Sequence, residues 1–176
     1  MEQQVVLVNE KDDPIGEMGK TEAHEKGILH RAFSVFIFNS KGEMLLQQRA
    51  LNKYHSGGLW TNACCSHPRP GEEVNEAAER RLEEEMGFET KLEKIFEFVY
   101  RTDVGNNLTE HEFDHVLVGV YDGPVQFNKE EVASYRFENI NDINESLHSQ
   151  PEIYTVWFRL AFPAVKRWWA KSSWAE

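Results

Sequence analysis

Residues 60–88 read WTNACCSHPRPGEEVNEAAERRLEEEMGF, and the fold is decided there. The second half predicts a helix with readable ends. Asn75 is the expected N-cap, residues 76–86 are rich in helix formers, and Gly87 suits the C′ position, where a left-handed backbone closes a helix without steric cost. The first half is dense in reactive groups, with thiols at Cys64 and Cys65 and an imidazole at His67. On the helix, Arg81 precedes Glu85 by four residues, so the two share a face. Carboxylates and guanidiniums gathered in this way can hold a metal ion and a phosphate group.

Outward from this stretch the chain alternates strands, turns and a few helices, without repeats or low-complexity tracts. Residues 5–9 predict a short strand, and Asp12-Asp13-Pro14-Ile15-Gly16 a turn. Residues 32–39 (AFSVFIFN) are apolar on both faces and predict a central strand, which Ser40-Lys41-Gly42 turns into a second at residues 44–48. Residues 91–101 and 109–121 predict two long strands joined through Gly105-Asn106-Asn107. A short helix is expected at 144–148. Residues 154–168 place Val156, Trp157, Leu160, Phe162 and Val165 near helical spacing, with Pro163 expected to kink or break that helix. The class is α+β, a mixed sheet flanked by helices, and residues 1–176 are expected to form one domain.

A chain of 176 residues that is 40% hydrophobic can bury a substantial core. No run approaches the roughly 20 apolar residues of a membrane helix, and residues 1–10 have no basic start or long apolar stretch. The expected location is the cytoplasm. Cys64 and Cys65 are the only cysteines; neighbours in sequence rarely form a disulfide, and free thiols fit a reducing compartment. A net charge of −11 argues against a nucleic-acid surface, which needs clustered Lys and Arg. An acidic protein can still bind an anion locally, through metal ions or a few placed cations, and a monomer or homodimer is expected.

Residues 66–88 resemble a modified Nudix box: Gly, five residues, Glu, seven residues, then Arg-Glu-apolar-any-Glu-Glu-any-Gly-apolar. Glu72, Arg80, Leu82, Glu84, Glu85, Gly87 and Phe88 match, whereas Ser66 replaces the Gly and Arg81 replaces a Glu. In Nudix hydrolases the helix glutamates hold metals that activate water, so a cation at Arg81 weakens that reading. Over nearly its whole length the chain resembles a narrower family, the type I isopentenyl diphosphate isomerases. The matching pieces are Ala23-His24, Leu29-His30-Arg31-Ala32-Phe33-Ser34, Gln48-Arg49-Ala50-Leu51, Trp60-Thr61-Asn62, Cys65-Ser66-His67-Pro68, Tyr100-Arg101, Glu110-His111-Glu112 and Trp157. The implied fold is Nudix-like. The implied reaction is a reversible 1,3-allylic shift of isopentenyl to dimethylallyl diphosphate through a tertiary carbocation.

This resemblance assigns roles that the residues must also support. Glu110 and Glu112 are two apart in an expected strand and share a face; periodicity alone fits a metal clamp or a solvated acidic face continued by Asp114. The resemblance makes them ligands and adds His24, His30 and His67, a set compatible with Zn²⁺, Mn²⁺ or Mg²⁺. His55 and His148 fall in expected loop or surface contexts, and His111 and His115 point to the opposite strand face, so these four are left outside the site. Cys65 resembles the catalytic thiol and Cys64 a buried neighbour. Cys65 and Glu112 are the expected proton-transfer pair, with either able to act as the acid and Tyr100 as a relay beside Glu112. Trp157 is expected to offer its π face to the cation, worth about 2 kcal/mol when desolvated, or else to pack on a helix face. Glu85 and the Cys65 backbone carbonyl would hold a Mg²⁺ bridged to the diphosphate, and Lys20, Arg49, Lys53 and Arg81 match the cations around it. Arg80 could instead orient nearby glutamates. Two rivals are a Nudix pyrophosphohydrolase, which leaves Cys65, His67 and the Glu110/Glu112 pair unexplained, and a structural Zn²⁺ module, which adjacent cysteines do not fit.

Overall fold

The computed structural model describes residues 1–175. In chain order the elements are β1 (Gln4–Val8), β2 (Pro14–Gly19), α1 (Lys20–Lys26), β3 (His30–Phe38), β4 (Met44–Arg49), β5 (Trp60–Thr61), β6 (Cys64–Ser66), α2 (Val74–Met86), β7 (Glu93–Gly105), β8 (Leu108–Val120), β9 (Val132–Glu138), α3 (Ile140–Ser149) and α4 (Val156–Ala170). β3 is the axis. It pairs in parallel with β8 from His30 opposite Glu112 to Phe38 opposite Val120. On its other side it pairs antiparallel with β6, Ser34 opposite Cys65 and Val35 opposite Cys64. β7 extends the sheet beyond β8, β1 and β2 beyond the start of β3, and β4 carries β5 and β9. The sheet is therefore mixed, as expected.

The two-sided apolarity of β3 follows from two helical layers. Phe33, Val35 and Ile37 pack against Ala77, Ala78, Leu82 and Met86 of α2, while Phe36 and Phe38 face Phe158, Phe162 and Val165 of α4 with Ile140 and Ile143 of α3. Alternate side chains leave opposite faces of a strand, so a strand covered on both sides reads as a continuous apolar run. Each fully buried Leu or Phe here contributes roughly 1.5–3 kcal/mol.

The ends of the elements correct several expectations. The α2 N-cap is Glu73 rather than Asn75, which lies in the first turn and donates from Nδ2 to the Leu92 carbonyl at 3.1 Å. Gly87 closes the helix at φ 74°, and a Cβ there would meet the Gln126 carbonyl oxygen at 2.2 Å, so glycine is required on two counts. The residue 12–16 turn is shorter than expected: Asp12 turns at φ 66° and Pro14 already opens β2. β2 is an edge strand, where a proline's missing N–H can face outward. Asn106 and Asn107 both lie at positive φ and make the β7–β8 turn. The expected helix at 144–148 runs over Ile140–Ser149, with the Asn139 side chain accepting from the Asn141 amide. Pro163 does not break α4; it sits on the exposed side, where the carbonyl it leaves unbonded can meet water. Leu160 is exposed, and Phe158 and Ala161 fill the core instead. No helix among the described residues is long and apolar enough to cross a membrane.

Candidate active site and metal cluster

Residues of α1, β3, β4, β6, α2, β7, β8 and α4 converge with the 53–55 segment on one site. One cavity is lined by Lys20, Arg49, Lys53, Cys65, His67, Arg81, Glu85, Tyr100, Glu110, Glu112 and Trp157, together with Ser34, Tyr54 and His55. His24 and His30 stand behind this lining. They complete a buried group with His67 and Glu112 in which one potential ligand atom of each residue lies within 4.8 Å of all the others.

The histidine ring orientations are set by the backbone. His24 Nδ1 donates to the Lys20 carbonyl one turn back at 2.7 Å, and His30 Nδ1 to the Ile28 carbonyl at 2.8 Å. A carbonyl only accepts, so both rings carry the proton on Nδ1 and leave Nε2 with a free lone pair. Those Nε2 atoms, and both ring nitrogens of His67, are buried without hydrogen-bond partners. Burial holds all three imidazoles below their usual pKa and therefore neutral. Neutral, buried, unpartnered nitrogens beside a carboxylate are what a divalent metal requires of its donors.

Glu112 closes this group, its Oε1 lying 3.5 Å from His67 Nε2 and 3.9 Å from His30 Nε2. Glu110 projects from the same strand face but lies outside the group. Its Oε2 accepts from the Tyr100 hydroxyl at 2.7 Å, and its Oε1 is 3.4 Å from His55 Nε2. Tyr100 is opposite Glu112 in strand register, and its 2.7 Å hydrogen bond goes to the adjacent Glu110, while it also helps to hold the Glu112 carboxyl down against burial. Burial raises both carboxyls, and for Glu110 the neighbouring Glu112 charge adds to the rise. Such a pair ionises together only when a cation is near.

His55, which its sequence context places outside the site, lies inside it. It is 4% exposed, its pKa is pushed down to about 3, chiefly by burial, and its ring meets Trp157 edge-on at 5.7 Å. Tyr54, which is 44% exposed and lines the cavity beside His55, carries no sign in the sequence either. His111, His115 and His148 stay outside: His111 bonds the Gly27 carbonyl, His115 meets Asp12, and His148 bonds the Asn144 carbonyl.

β6 sorts the two thiols. Cys64 enters the core under α2, whereas Cys65, one residue on, takes the opposite face and lines the cavity. Burial pushes the Cys65 thiol up, so it keeps its proton. Its Sγ lies 3.3 Å from Asn62 Oδ1 and 3.4 Å from Ser34 Oγ. Asn62 is fully buried; its Nδ2 donates to the Val35 and Cys64 carbonyls, and its Oδ1 accepts from Thr61 Oγ1. Thr155 donates to Thr61 and accepts from the Phe158 amide as the N-cap of α4, two residues before Trp157. One polar chain thus runs from the thiol to the end of the helix that carries the tryptophan. The Trp60-Thr61-Asn62 stretch is the connector.

The cations flank the thiol. Arg81 Nη2 bonds Glu85 Oε1 at 2.7 Å, Gln47 Nε2 lies 3.1 Å from Glu85 Oε2, and Arg80 is taken up by Glu72 and Glu84. Lys53 pairs with Glu131, and Lys20 lies over the Tyr54 ring. The Arg49 guanidinium stacks 5.1 Å from the Trp157 ring centre and donates to the His55 carbonyl. Trp157 is only 3% exposed with an unpartnered Nε1, so it serves both packing and the cavity wall.

Residues 28–158 match the NUDIX domain family. The chain is 52% identical to the isopentenyl-diphosphate Delta-isomerase of Pectobacterium atrosepticum, over 94% of this chain and 93% of that one. It is 47% identical to isopentenyl-diphosphate Delta-isomerase 2 of Photorhabdus laumondii, over 96% and 98%. Among solved structures it resembles a Deinococcus radiodurans protein (TM-score 0.77, 18% identity, 92% and 98% covered) and a Methanosarcina mazei MutT protein (TM-score 0.67, 21% identity, 82% and 96% covered). Those two likenesses speak to the fold alone. The polar residues gathered on one cavity and the near full-length identities agree, and the chain belongs to the Nudix superfamily and, within it, to the isopentenyl-diphosphate Delta-isomerases.

Proposed function

We infer that this protein interconverts isopentenyl and dimethylallyl diphosphate, with residues 1–176 acting as one catalytic unit. The reading rests above all on one observation: a thiol, a metal-competent His/Glu cluster and four cations line or adjoin the same cavity. Proton transfer at carbon needs an acid and a base within reach of the substrate. Cys65 and Glu112 fill these roles. One delivers a proton to the terminal alkene carbon, the other removes one two carbons along, and the roles exchange in reverse. Tyr100 holds the Glu110 carboxylate beside Glu112 and is a path for the proton.

The diphosphate is bound by Lys20, Arg49, Lys53 and Arg81, all on the cavity wall. Glu85 and the Cys65 backbone carbonyl would hold a Mg²⁺ against it. His24, His30, His67, Glu112 and, by a turn of its side chain, Glu110 would hold one Mn²⁺, Zn²⁺ or Mg²⁺. When bound, these ions supply positive charge that fixes the diphosphate and keeps the glutamates ionised. Trp157 would face the carbocation, which a dry cavity would protect from being trapped as an alcohol. The substrate is a small molecule, and a net charge of −11 argues against a nucleic-acid partner.

Proton NMR of metal-loaded protein with isopentenyl diphosphate in heavy water tests the reading. Deuterated dimethylallyl diphosphate without free phosphate is expected. Phosphate release without the allylic product would make the protein a pyrophosphohydrolase. Cys65→Ala should abolish isomerisation while leaving the fold and diphosphate binding largely intact, and retained turnover would remove Cys65 from its role.

A further inference from the structure

Two buried polar side chains beside Cys65 have no place in this mechanism. Ser34 and Cys65 are direct cross-strand partners between β3 and β6, so their side chains leave the same face of the sheet as neighbours. Ser34 Oγ lies 3.4 Å from the Cys65 sulfur and donates to Asp114 Oδ2 at 2.7 Å. Asp114 is 1% exposed, and its Oδ1 has no hydrogen-bond partner. Ser34 is the one hydrogen-bonding contact of this carboxyl among the described residues. A buried carboxyl with a single partner is a poor way to stabilise a strand, and an apolar side chain would serve packing better.

The Ser34 hydroxyl has one proton and two acceptors within reach, Asp114 Oδ2 and Cys65 Sγ. Asn62 cannot share its work, because both Nδ2 protons are committed to backbone carbonyls and its Oδ1 faces the sulfur only as an acceptor. While the thiol is intact, S–H can donate to Asn62 and the serine proton rests on Asp114. When Cys65 protonates the alkene, the S–H bond breaks, a C–H bond forms, and the electron pair remains on sulfur. The nascent thiolate then faces an acceptor at Asn62 and a rotatable donor at Ser34. The reaction is reversible, so Cys65 passes through this state whichever direction it serves as acid.

We propose that Ser34 is a positioning residue for the isomerisation, parked on Asp114 in the resting protein and turning its hydroxyl proton to the Cys65 sulfur as the thiol proton leaves. The inference rests on the isomerase reading with Cys65 as one of its two proton-transfer groups. Its effect belongs to the chemical step, since neither Ser34 nor Asp114 is among the cations that grip the diphosphate.

Steady-state isomerisation by the metal-loaded parent, Ser34→Ala and Ser34→Thr tests it, with thermal unfolding in parallel. Ser34→Ala should lower kcat about 10- to 100-fold, at or just below the roughly 100-fold lower limit for losing a transition-state donor, with KM within twofold. Ser34→Thr keeps the hydroxyl and should recover kcat to within about fivefold of the parent, on the same scale of donor effects. Because Ser34→Ala leaves the Asp114 carboxyl unpartnered, the pair Ser34→Ala with Asp114→Val removes both polar groups together; it should fold and still lose kcat. An Ala variant turning over within twofold of the parent overturns the proposal, as do equal losses in Ala and Thr. A parent that does not isomerise overturns the isomerase reading itself, and the same assay separates that result from the others.

Discussion

Replacing Asn62 by Ala tests whether the connector beneath the thiol carries the weight that its geometry implies. Asn62 is fully buried and takes part in four hydrogen bonds: from Nδ2 to the Val35 and Cys64 carbonyls at 2.9 and 3.0 Å, and to Oδ1 from Thr61 Oγ1 at 2.9 Å and from the Cys65 sulfur at 3.3 Å. At roughly 1 kcal/mol net for each bond, with the sulfur bond at the weak end, the loss comes to about 3–4 kcal/mol. The partners left behind are themselves buried, Thr61 at 2% exposure, so little of this is regained by hydration. For a chain of this size each kcal/mol lowers Tm by roughly 2–4 °C, so the expected fall is about 10 °C. Urea unfolding of parent and variant measures the free energy directly, and an unchanged m-value confirms that stability alone has changed. Asn62→Asp keeps the shape and both acceptor contacts but turns an oxygen toward two carbonyls, so it should cost at least as much as Ala. A loss below about 1 kcal/mol in Asn62→Ala, where a single net hydrogen bond lies, would refute the picture of a polar node joining β3, β6 and α4.

Metal removal should abolish isomerisation while the far-UV circular dichroism of the protein persists, because α2, α4 and the sheet are held by apolar cores that exclude the cluster. Readding Mn²⁺ or Mg²⁺ should restore turnover, and at a hundredfold excess over Kd should raise stability by about 2.7 kcal/mol; a protein that unfolds in chelator would make the cluster a structural site. His115 carries a pH signature outside the site. Burial, then Lys94, lowers its pKa, with Asp12 pulling part of the way back. The unfolded chain therefore takes up the proton first as pH falls through about 6.5, so the stability tied to a neutral His115 is complete above that value and lost below it. His115→Gln should lose less stability than the parent between pH 7.5 and 5.5 by denaturant unfolding, and parallel losses would show that the histidine does not titrate as its burial demands.

What the sequence made legible depends on how local the signal was. β3 was readable because both of its faces are covered, and the end of α2 because Gly87 is forced by backbone geometry and by the close approach of Gln126. The start of α2 was misread because Asn75 resembles a cap by type, while its amide is spent on a distant carbonyl that no local rule sees. β9 and α1 gave no clear signal. β9 is half exposed, and α1 is a seven-residue helix whose N-terminal amide is met by Glu2 from across the chain. His55 and Tyr54 were missed for a related reason. They follow Lys53 in an irregular segment, and only the return of that segment over Trp157 and Glu110 turns an apparent surface loop into a cavity wall.

The departure of Arg81 from the Nudix pattern gains its meaning from what it touches. Its two terminal nitrogens reach Glu84 at 2.5 Å and Glu85 at 2.7 Å, two carboxylates that the pattern retains. In a hydrolase, free carboxylates on this helix would gather metals and activate water. Here the guanidinium neutralises part of that charge and adds a permanent cation to the cavity wall, where a diphosphate can be gripped. Proton transfer through a carbocation needs the diphosphate bound but intact, and it needs water absent. On the proposed reading, a helix that grips phosphate while disarming water would satisfy both, and the proton chemistry would fall to Cys65 of β6 and Glu112 of β8, which line the same cavity. On that reading, the charge at Arg81 and the thiol at Cys65 are the two features that would turn this layered fold from activating water to moving protons.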